Sequence, residues 1–317
     1  VIGRRACLAA AFAAGVAAHA AAQAPVKIGW LSVSEHPFLA DFRARLGELG
    51  FVEGKNLAIE YGYAKGNAAL LPALVDHLVK SGVKVIVASG SGATDAAVAN
   101  AKGVPVVFVS SDPTITGLVS SLARPGGVAT GISTMAEDIA SKKVDLLRDA
   151  VKNLSRLALL NDGSPGGAGQ CDGMAAAGRK VGIETKTFTL ADPAAFTAQF
   201  AQVASEDWQA AAAVSSPLFT NSAVQFGQLT TQHRLPALFD VAAFVRAGAL
   251  MSYGPDLKAA FRRQAELVER LLRGARLADL PVEQVSKFVF AFNQTTAKAF
   301  GLGLSMPVMA SVDDLIE

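Results

Sequence analysis

Residues 83–110 read VKVIVASGSGATDAAVANAKGVPVVFVS: two apolar runs, VKVIVAS (83–89) and VPVVFVS (104–110), flank a helix-forming stretch from about Thr94 to Ala101. The runs are apolar at successive positions and do not alternate, which marks strands buried on both faces. A helix between two such strands makes them parallel neighbours in one sheet. The same alternation extends upstream. VKIGWLSV (26–33) precedes an amphipathic helix with Phe38, Leu39, Phe42, Leu46 and Leu49 at helical spacing, and NLAIEYGY (56–63) precedes a helix from about Ala68 to Lys80. Downstream come GVATGIS (127–133), a helix from about Ala136 to Val151, RLALLN (156–161), a helix near Gly173 to Val181, IETKTFTL (183–190), a helix near Pro193 to Ala204, AAAAVS (210–215) and LPALFD (235–240). So long a series exceeds what one core organises. The expected fold class is α/β, with two doubly wound parallel-sheet lobes.

The N-terminus has a different composition. Arg4 and Arg5 precede a small apolar run from Ala6 to Ala18 and the alanine-rich AHAAAQA, the layout of a secretory signal peptide over residues 1–24. Cleavage is expected after Ala20, Ala22 or Ala24, and the mature protein is expected in the periplasm. Losing Arg4 and Arg5 takes the basic residues from 29 to 27, against 27 acidic ones. A chain so balanced has no general field to hold nucleic acid or an anionic membrane. No later apolar run reaches the ~18 residues a membrane span needs. Cys7 lies in the signal segment, which leaves Cys171 alone, without an internal disulfide, as a small buried or loop residue.

In a parallel sheet the functional loops follow the strands' carboxyl ends, where helix N-termini present free N–H groups. These loops read SVSEHP (32–37), SGSGAT (89–94), SSDPT (110–114), NDGSPGG (161–167), SSPLF (215–219) and DVAAF (240–244). Their serines, threonines and glycines offer hydroxyls and open amides to a small ligand, although the same residue types are common in plain caps and turns. Catalytic and cofactor patterns are missing. SGSGAT lacks the P-loop lysine, no GxGxxG opens a helix, no GxSxG is present, and the histidines are scattered, so neither cofactor nor metal is expected.

Several blocks resemble a known family: ELGFVEGKNLAIEY (48–61), IVASGSGAT (86–94), VPVVFVSSDP (104–113), GLVSSLARPGGVATGIS (117–133), GALMSYGP (248–255), ADLPVEQ (278–284) and KFVFAFNQTTAKAFGL (287–302). In this order and spacing they are similar to the substrate-binding proteins of ABC transporters, in the group with the tryptophan- and phenylalanine-binding proteins. The resemblance implies a type I periplasmic-binding fold, a monomer that holds a small-molecule ligand between two lobes and delivers it to a membrane permease. It divides the chain into residues 26–131 plus 254–286 and residues 132–253 plus 287–317, with hinges near Gly131, near Tyr253 and Gly254, and near Lys287.

On this reading the first lobe binds through Ser32, Ser34, Glu35, His36, Ser89, Ser91, Thr94, Ser111 and Asp112. The second closes with Ser216, Phe219, Asp240 and Phe244, and Tyr253 stands at the hinge. Phe219, Val241 and Phe244 are expected to form an apolar wall, which favours a carboxylated aromatic or branched-chain solute, with Asp240 as the evident anion for an amine. The same architecture also suits a periplasmic ligand-sensing module for a receptor, and another class of reading is an enzyme using the cleft.

Overall fold

A computed structural model describes residues 24–111, 117–126, 129–135 and 139–317. The expected signal segment up to residue 23, Cys7 within it, and Asp112 lie outside the described residues. The chain runs β1 (Val26–Ser32), α1 (Leu39–Glu48), β2 (Leu57–Tyr63), α2 (Leu71–Lys80), β3 (Ile86–Ser89), α3 (Ser91–Asn100), β4 (Val106–Ser110) and β5 (Ala129–Ser133). It continues with α4 (Ala140–Ala150), β6 (Arg156–Asn161), α5 (Pro165–Lys180), β7 (Glu184–Thr189), α6 (Phe196–Ser205), β8 (Ala210–Ala213), α7 (Pro217–Asn221), α8 (Ala223–Gln232), β9 (Ala237–Phe239), α9 (Ala242–Arg246) and β10 (Met251–Pro255). Last come α10 (Leu257–Leu272), β11 (Glu283–Gln284), β12 (Phe288–Asn293), α11 (Gln294–Phe300), α12 (Met306–Met309) and β13 (Asp314–Ile316).

These strands form two sheets, in the orders β11-β5-β4-β3-β1-β2 and β13-β12-β10-β9-β8-β6-β7. Every pairing is parallel except β10 with β12. The two-residue period of a strand explains why the central runs are continuously apolar. Trp30, Val87, Val107 and Val109 join Phe42 and Leu46 of α1 and Phe261 of α10 on one face of the first sheet. Leu31, Ile86, Ala88, Val106 and Phe108 meet Leu71, Val75 and Leu78 of α2 and Ala93 and Ala97 of α3 on the other. The second sheet is covered in the same way by a core that includes Leu147, Met174, Phe200, Phe226 and Phe290.

The chain passes between the sheets three times. It leaves β5 for α4, which packs in the second core; it leaves β10 for α10, which packs in the first; and it leaves β11 for β12. Hinges are expected near Gly131 and Gly254, each within two residues of such a strand end. Both glycines are inside intact strands, and the exchanges fall at the strand ends. Glycine is needed at these positions for close approach: a Cβ on Gly131 would stand 2.2 Å from the Phe108 carbonyl oxygen, and one on Gly254 would stand 2.3 Å from that of Asp240. Backbone there cannot yield without breaking the parallel β4–β5 ladder at Gly131 or the antiparallel β10–β12 ladder at Gly254.

α5 begins well before the expected Gly173. Ser164 caps it by accepting a hydrogen bond from the Gly167 N–H at 3.0 Å, and Pro165 occupies its first turn. This start carries the loop residues 165–167 into a helix that faces the first sheet.

Two glycine substitutions should separate packing from propensity. Gly131→Ala is expected to lower the unfolding free energy by about 1–3 kcal/mol through overpacking. Gly47→Ala, in α1 with nothing within 4 Å of the new methyl, should raise it by roughly 0.5–1 kcal/mol. Urea unfolding of the two variants measures both, and equal midpoints would contradict the assignment.

Candidate ligand-binding cleft

The loops after the strands of both sheets meet around two cavities that share one wall. The larger, about 750 Å³, is bordered from the first sheet by Val33, residues 65–69 and 89–92, and Asp95, and from the second by residues 162–165, Gln170, 191–193 and 215–218. The smaller, about 40 Å³, is bordered by His36, Val109, Ser110, Ser111, Thr134, Thr220, Leu257 and Phe261. Ser89, Gly90, Ser91, Ser215, Ser216 and Pro217 line both. The two chambers therefore adjoin at a waist of residues from both sheets.

Serine hydroxyls dominate the waist. Ser110 Oγ donates to Ser91 Oγ at 3.1 Å, and Ser91 Oγ donates to Ser111 Oγ at 3.2 Å. Ser89 is fully buried and its hydroxyl has no partner among the described residues. Gln170 bridges the sheets from α5: its Nε2 donates to Ser111 Oγ at 3.2 Å, and its Oε1 accepts from the Ser215 N–H at 2.8 Å. At the rim Asn221 Nδ2 donates to Ser34 Oγ at 2.8 Å and also to the Glu35 carbonyl. Gly166 of α5 packs so closely on α3 that a Cβ there would lie 2.6 Å from Ser91 Cβ.

His36 is buried among Phe261, Phe38 and Trp30, with ring centroids at 4.5, 5.7 and 6.5 Å, and its Nδ1 accepts from the Phe38 N–H at 3.3 Å. Burial pulls its pKa down to about 3, so the imidazole is neutral. Asp162, at the end of β6, lines the large cavity and takes hydrogen bonds from Ser164 Oγ and Ser216 Oγ, both at 2.7 Å.

Of the residues expected at the site, Ser89, Ser91, Ser111, Ser216 and His36 border the cavities, and Ser34 and Glu35 make the rim contact. Ser32 is Ser89's neighbour in register, buried and without a hydroxyl partner, just behind the wall. Asp112 lies outside the described residues, and the structure places the other five away from the two cavities. Thr94 turns into its own helix and donates to the Gly90 carbonyl at 2.9 Å. Phe219 and Phe244 are core, not cleft: Phe219 meets Phe196 and Phe226 edge-on at 5.8 and 5.1 Å, and Phe244 stacks on Phe239 at 4.1 Å. The cause is local. Ser216 caps α7 and accepts from the Leu218 N–H, so SPLF is the start of a helix that turns Phe219 inward, and α9 does the same for Phe244. Asp240 borders neither cavity; it is buried, accepts from Ser215 Oγ at 2.6 Å, and burial pushes its carboxyl up. Tyr253 stacks on Phe288 at 5.9 Å and also borders neither cavity.

Asp95, Asp162, Gln170 and Asn221 were not singled out in the sequence. Gln170 was legible in principle, because Ser164-Pro165 is a helix-start signal that would have placed it on the first turns of α5. Among the described residues no group of three or more His, Cys, Asp or Glu could hold a metal ion, and no helix is long and apolar enough to cross a membrane.

Known proteins agree with this architecture. A tyrosine-binding protein of Clostridioides difficile is 21% identical over 281 residues, covering 87% of this chain and 81% of the relative. A conserved domain protein from Vibrio cholerae superimposes with a TM-score of 0.82 at 24% identity, over 92% of this chain and 99% of that one. The ABC domain from Streptococcus pneumonia in complex with L-Trp gives a TM-score of 0.82 at 22% identity, over 92% and 100%. The sequence pattern of the ABC transporter substrate binding proteins matches residues 34–315, nearly the whole length, and the chain belongs to that family.

Proposed function

We propose that this protein is an extracytoplasmic receptor that captures a small, partly apolar solute between two lobes and hands it, unchanged, to the permease of an ABC importer. The lobes would be built on the two sheets and would exchange chain between Ser133 and Ala140, at Asp256 and at residues 285–287, and the receptor would work as a monomer. One observation carries the reading: a cavity of about 750 Å³ is lined by loops of both sheets, and Ser89, Gly90, Ser91, Ser215, Ser216 and Pro217 continue that lining into the smaller chamber. The serine side chains and open backbone amides of those loops offer hydrogen-bond partners to a polar solute head. The apolar part of the solute would meet Val109, Leu257 and Phe261, in place of the wall expected from Phe219 and Phe244. The relatives that bind tyrosine and L-Trp support a solute of this size.

The candidate reactive groups favour binding without chemistry. His36 is neutral and packed among aromatic rings, and burial pushes the Cys171 thiol up to about 12. Native mass spectrometry of the secreted protein should find one co-purified small molecule, and returning it to stripped protein should shrink the radius of gyration in solution scattering. Conversion of that molecule into a product would overturn the reading.

Closure depends on the contact between α5 and α3. Gly166→Ala should weaken solute binding about tenfold or more, since the new methyl meets Ser91 before the cleft shuts. The double variant Gly166→Ala, Ser91→Gly should recover most of the loss relative to Ser91→Gly alone, and calorimetry reads all three. Identical affinities would remove the contact from the closing motion.

The His36 environment also sets a pH dependence. Its pKa is about 3 in the folded protein against an ordinary 6.5. Between those values the unfolded chain holds the extra proton, so stability falls as pH drops from 6.5 towards 3. Asp240, with its raised carboxyl, acts in the opposite sense, so the comparison must be between variants. His36→Phe should flatten the acid slope of the melting temperature, and an unchanged slope would contradict the buried neutral imidazole.

A further inference from the structure

Hydrogen-bond direction around the small cavity is fixed from both sheets. The Ser215 N–H donates to Gln170 Oε1, which identifies that atom as the amide oxygen and makes Nε2 the donor to Ser111 Oγ. Ser91 Oγ donates to Ser111 Oγ as well. With both lone pairs taken, Ser111 has only its O–H left to offer. Ser215 is the reverse case. Its hydroxyl hydrogen goes to Asp240 Oδ2 at 2.6 Å, so its oxygen is left as an acceptor. His36 Nδ1 accepts from the Phe38 N–H and the ring is neutral, which puts the ring hydrogen on Nε2. All three residues border the small cavity: Ser111 and His36 keep 7% and 8% of their surface exposed, and Ser215 is half-buried. Among the described residues no Asp, Glu, Lys or Arg borders it.

We propose that the small cavity selects a neutral hydroxyl or carboxamide group of the solute, against both an ammonium and a carboxylate, with Ser111 as donor and Ser215 as acceptor. This rests on the reading of the cleft as a solute receptor and adds the chemistry of its inner chamber. A hydroxyl or a carboxamide both gives and takes a hydrogen bond, so it matches the two serines at once. An ammonium has no lone pair for the Ser111 O–H, and a carboxylate has no hydrogen for the Ser215 oxygen. Either ion would also lose its water without meeting a counter-charge. A wrong group therefore leaves a buried polar atom unpaired, which is an effective form of discrimination. Size agrees, since about 40 Å³ has room for about three water-sized groups, as many heavy atoms as a carboxamide carries. The carbon stem would pass Val109, Leu257 and Phe261, and the body of the solute would occupy the adjoining large cavity. Asp240 acts through Ser215 as a positioning residue, because its carboxylate sets which way that hydroxyl points.

The test is calorimetry on the stripped, secreted chain with probes that share one stem: 2-phenylacetamide and 2-phenylethanol as neutral groups, phenylacetate as the anion and 2-phenylethylamine as the cation. At least one neutral probe should bind about tenfold or more tighter than either ion. Ser111→Ala should weaken that probe about fivefold or more, with an unchanged melting temperature. Asp240→Asn should raise phenylacetate relative to the neutral probes, because the Asn amide donates to Ser215 Oγ and turns its hydrogen towards the solute. An ion bound as tightly as the neutral probes, Ser111→Ala without effect, an unchanged probe order in folded Asp240→Asn, or no neutral binding at about 10 mM would each overturn the subsite. If Asp240→Asn does not fold, the wild-type series and Ser111→Ala decide. Scattering separates this failure from that of the receptor reading. A co-purified solute whose polar groups are all charged but which contracts the protein removes only the subsite, whereas absence of any solute and of any contraction removes the receptor itself.

Discussion

The cleft depends on how the three passages between the sheets are tied together. The Asp256 N–H donates to the Lys287 carbonyl at 2.9 Å, which joins the second passage to the third, and the Val285 N–H donates to the Ser133 carbonyl at 3.0 Å, which joins the third to the first. On the proposed receptor reading, such short hydrogen-bonded crossings would favour a rotation of one sheet against the other. They also fix what the rotation brings together. The ladders around β1, β3, β4, β6 and β8 are parallel, so the loops after those strands point to the same gap and all their polar ends face it.

That gap is lined with groups whose hydrogen bonding is only partly complete. Ser91, Ser110, Ser111 and Gln170 satisfy one another across the two sheets, whereas Ser89 Oγ and Asp95 Oδ1 find no partner among the described residues. The first set fixes the geometry where the two sheets meet. Gly166 sets how near the two sides come, since α5 can touch α3 only where its first turn has no side chain. Binding energy and closing are thus linked at the same few residues.

The architecture was legible in the sequence because it rests on a strong physical signal. Runs such as VVFVS at 106–110 are buried on every residue, and both faces of the sheet read as apolar at once. The serine loops around Ser89, Ser91 and Ser111 were legible for a related reason, as polar residues directly after buried strands. The second wall was not. Phe219 and Phe244 follow strand ends and looked like loop residues, yet each belongs to a five-residue helix. Such short helices carry too little periodicity to reveal which side they bury. α5 was misplaced because glycines at 166 and 167 look like a loop, although Ser164 and Pro165 begin a helix there. Asp95 and Asp162 could not be graded from sequence at all, because a carboxylate's importance here depends on which oxygen lacks a partner.

Double electron-electron resonance tests the account most directly. Spin labels would be placed at Leu70→Cys and Val224→Cys, two exposed positions on opposite sides of the cleft. Cys171 is buried and its thiol is pushed up to about 12, so it should not take label. The account predicts a broad, long distance distribution for stripped protein that collapses to one shorter distance when the small-molecule fraction released from the secreted protein is returned. A single distance that no such fraction moves would contradict it.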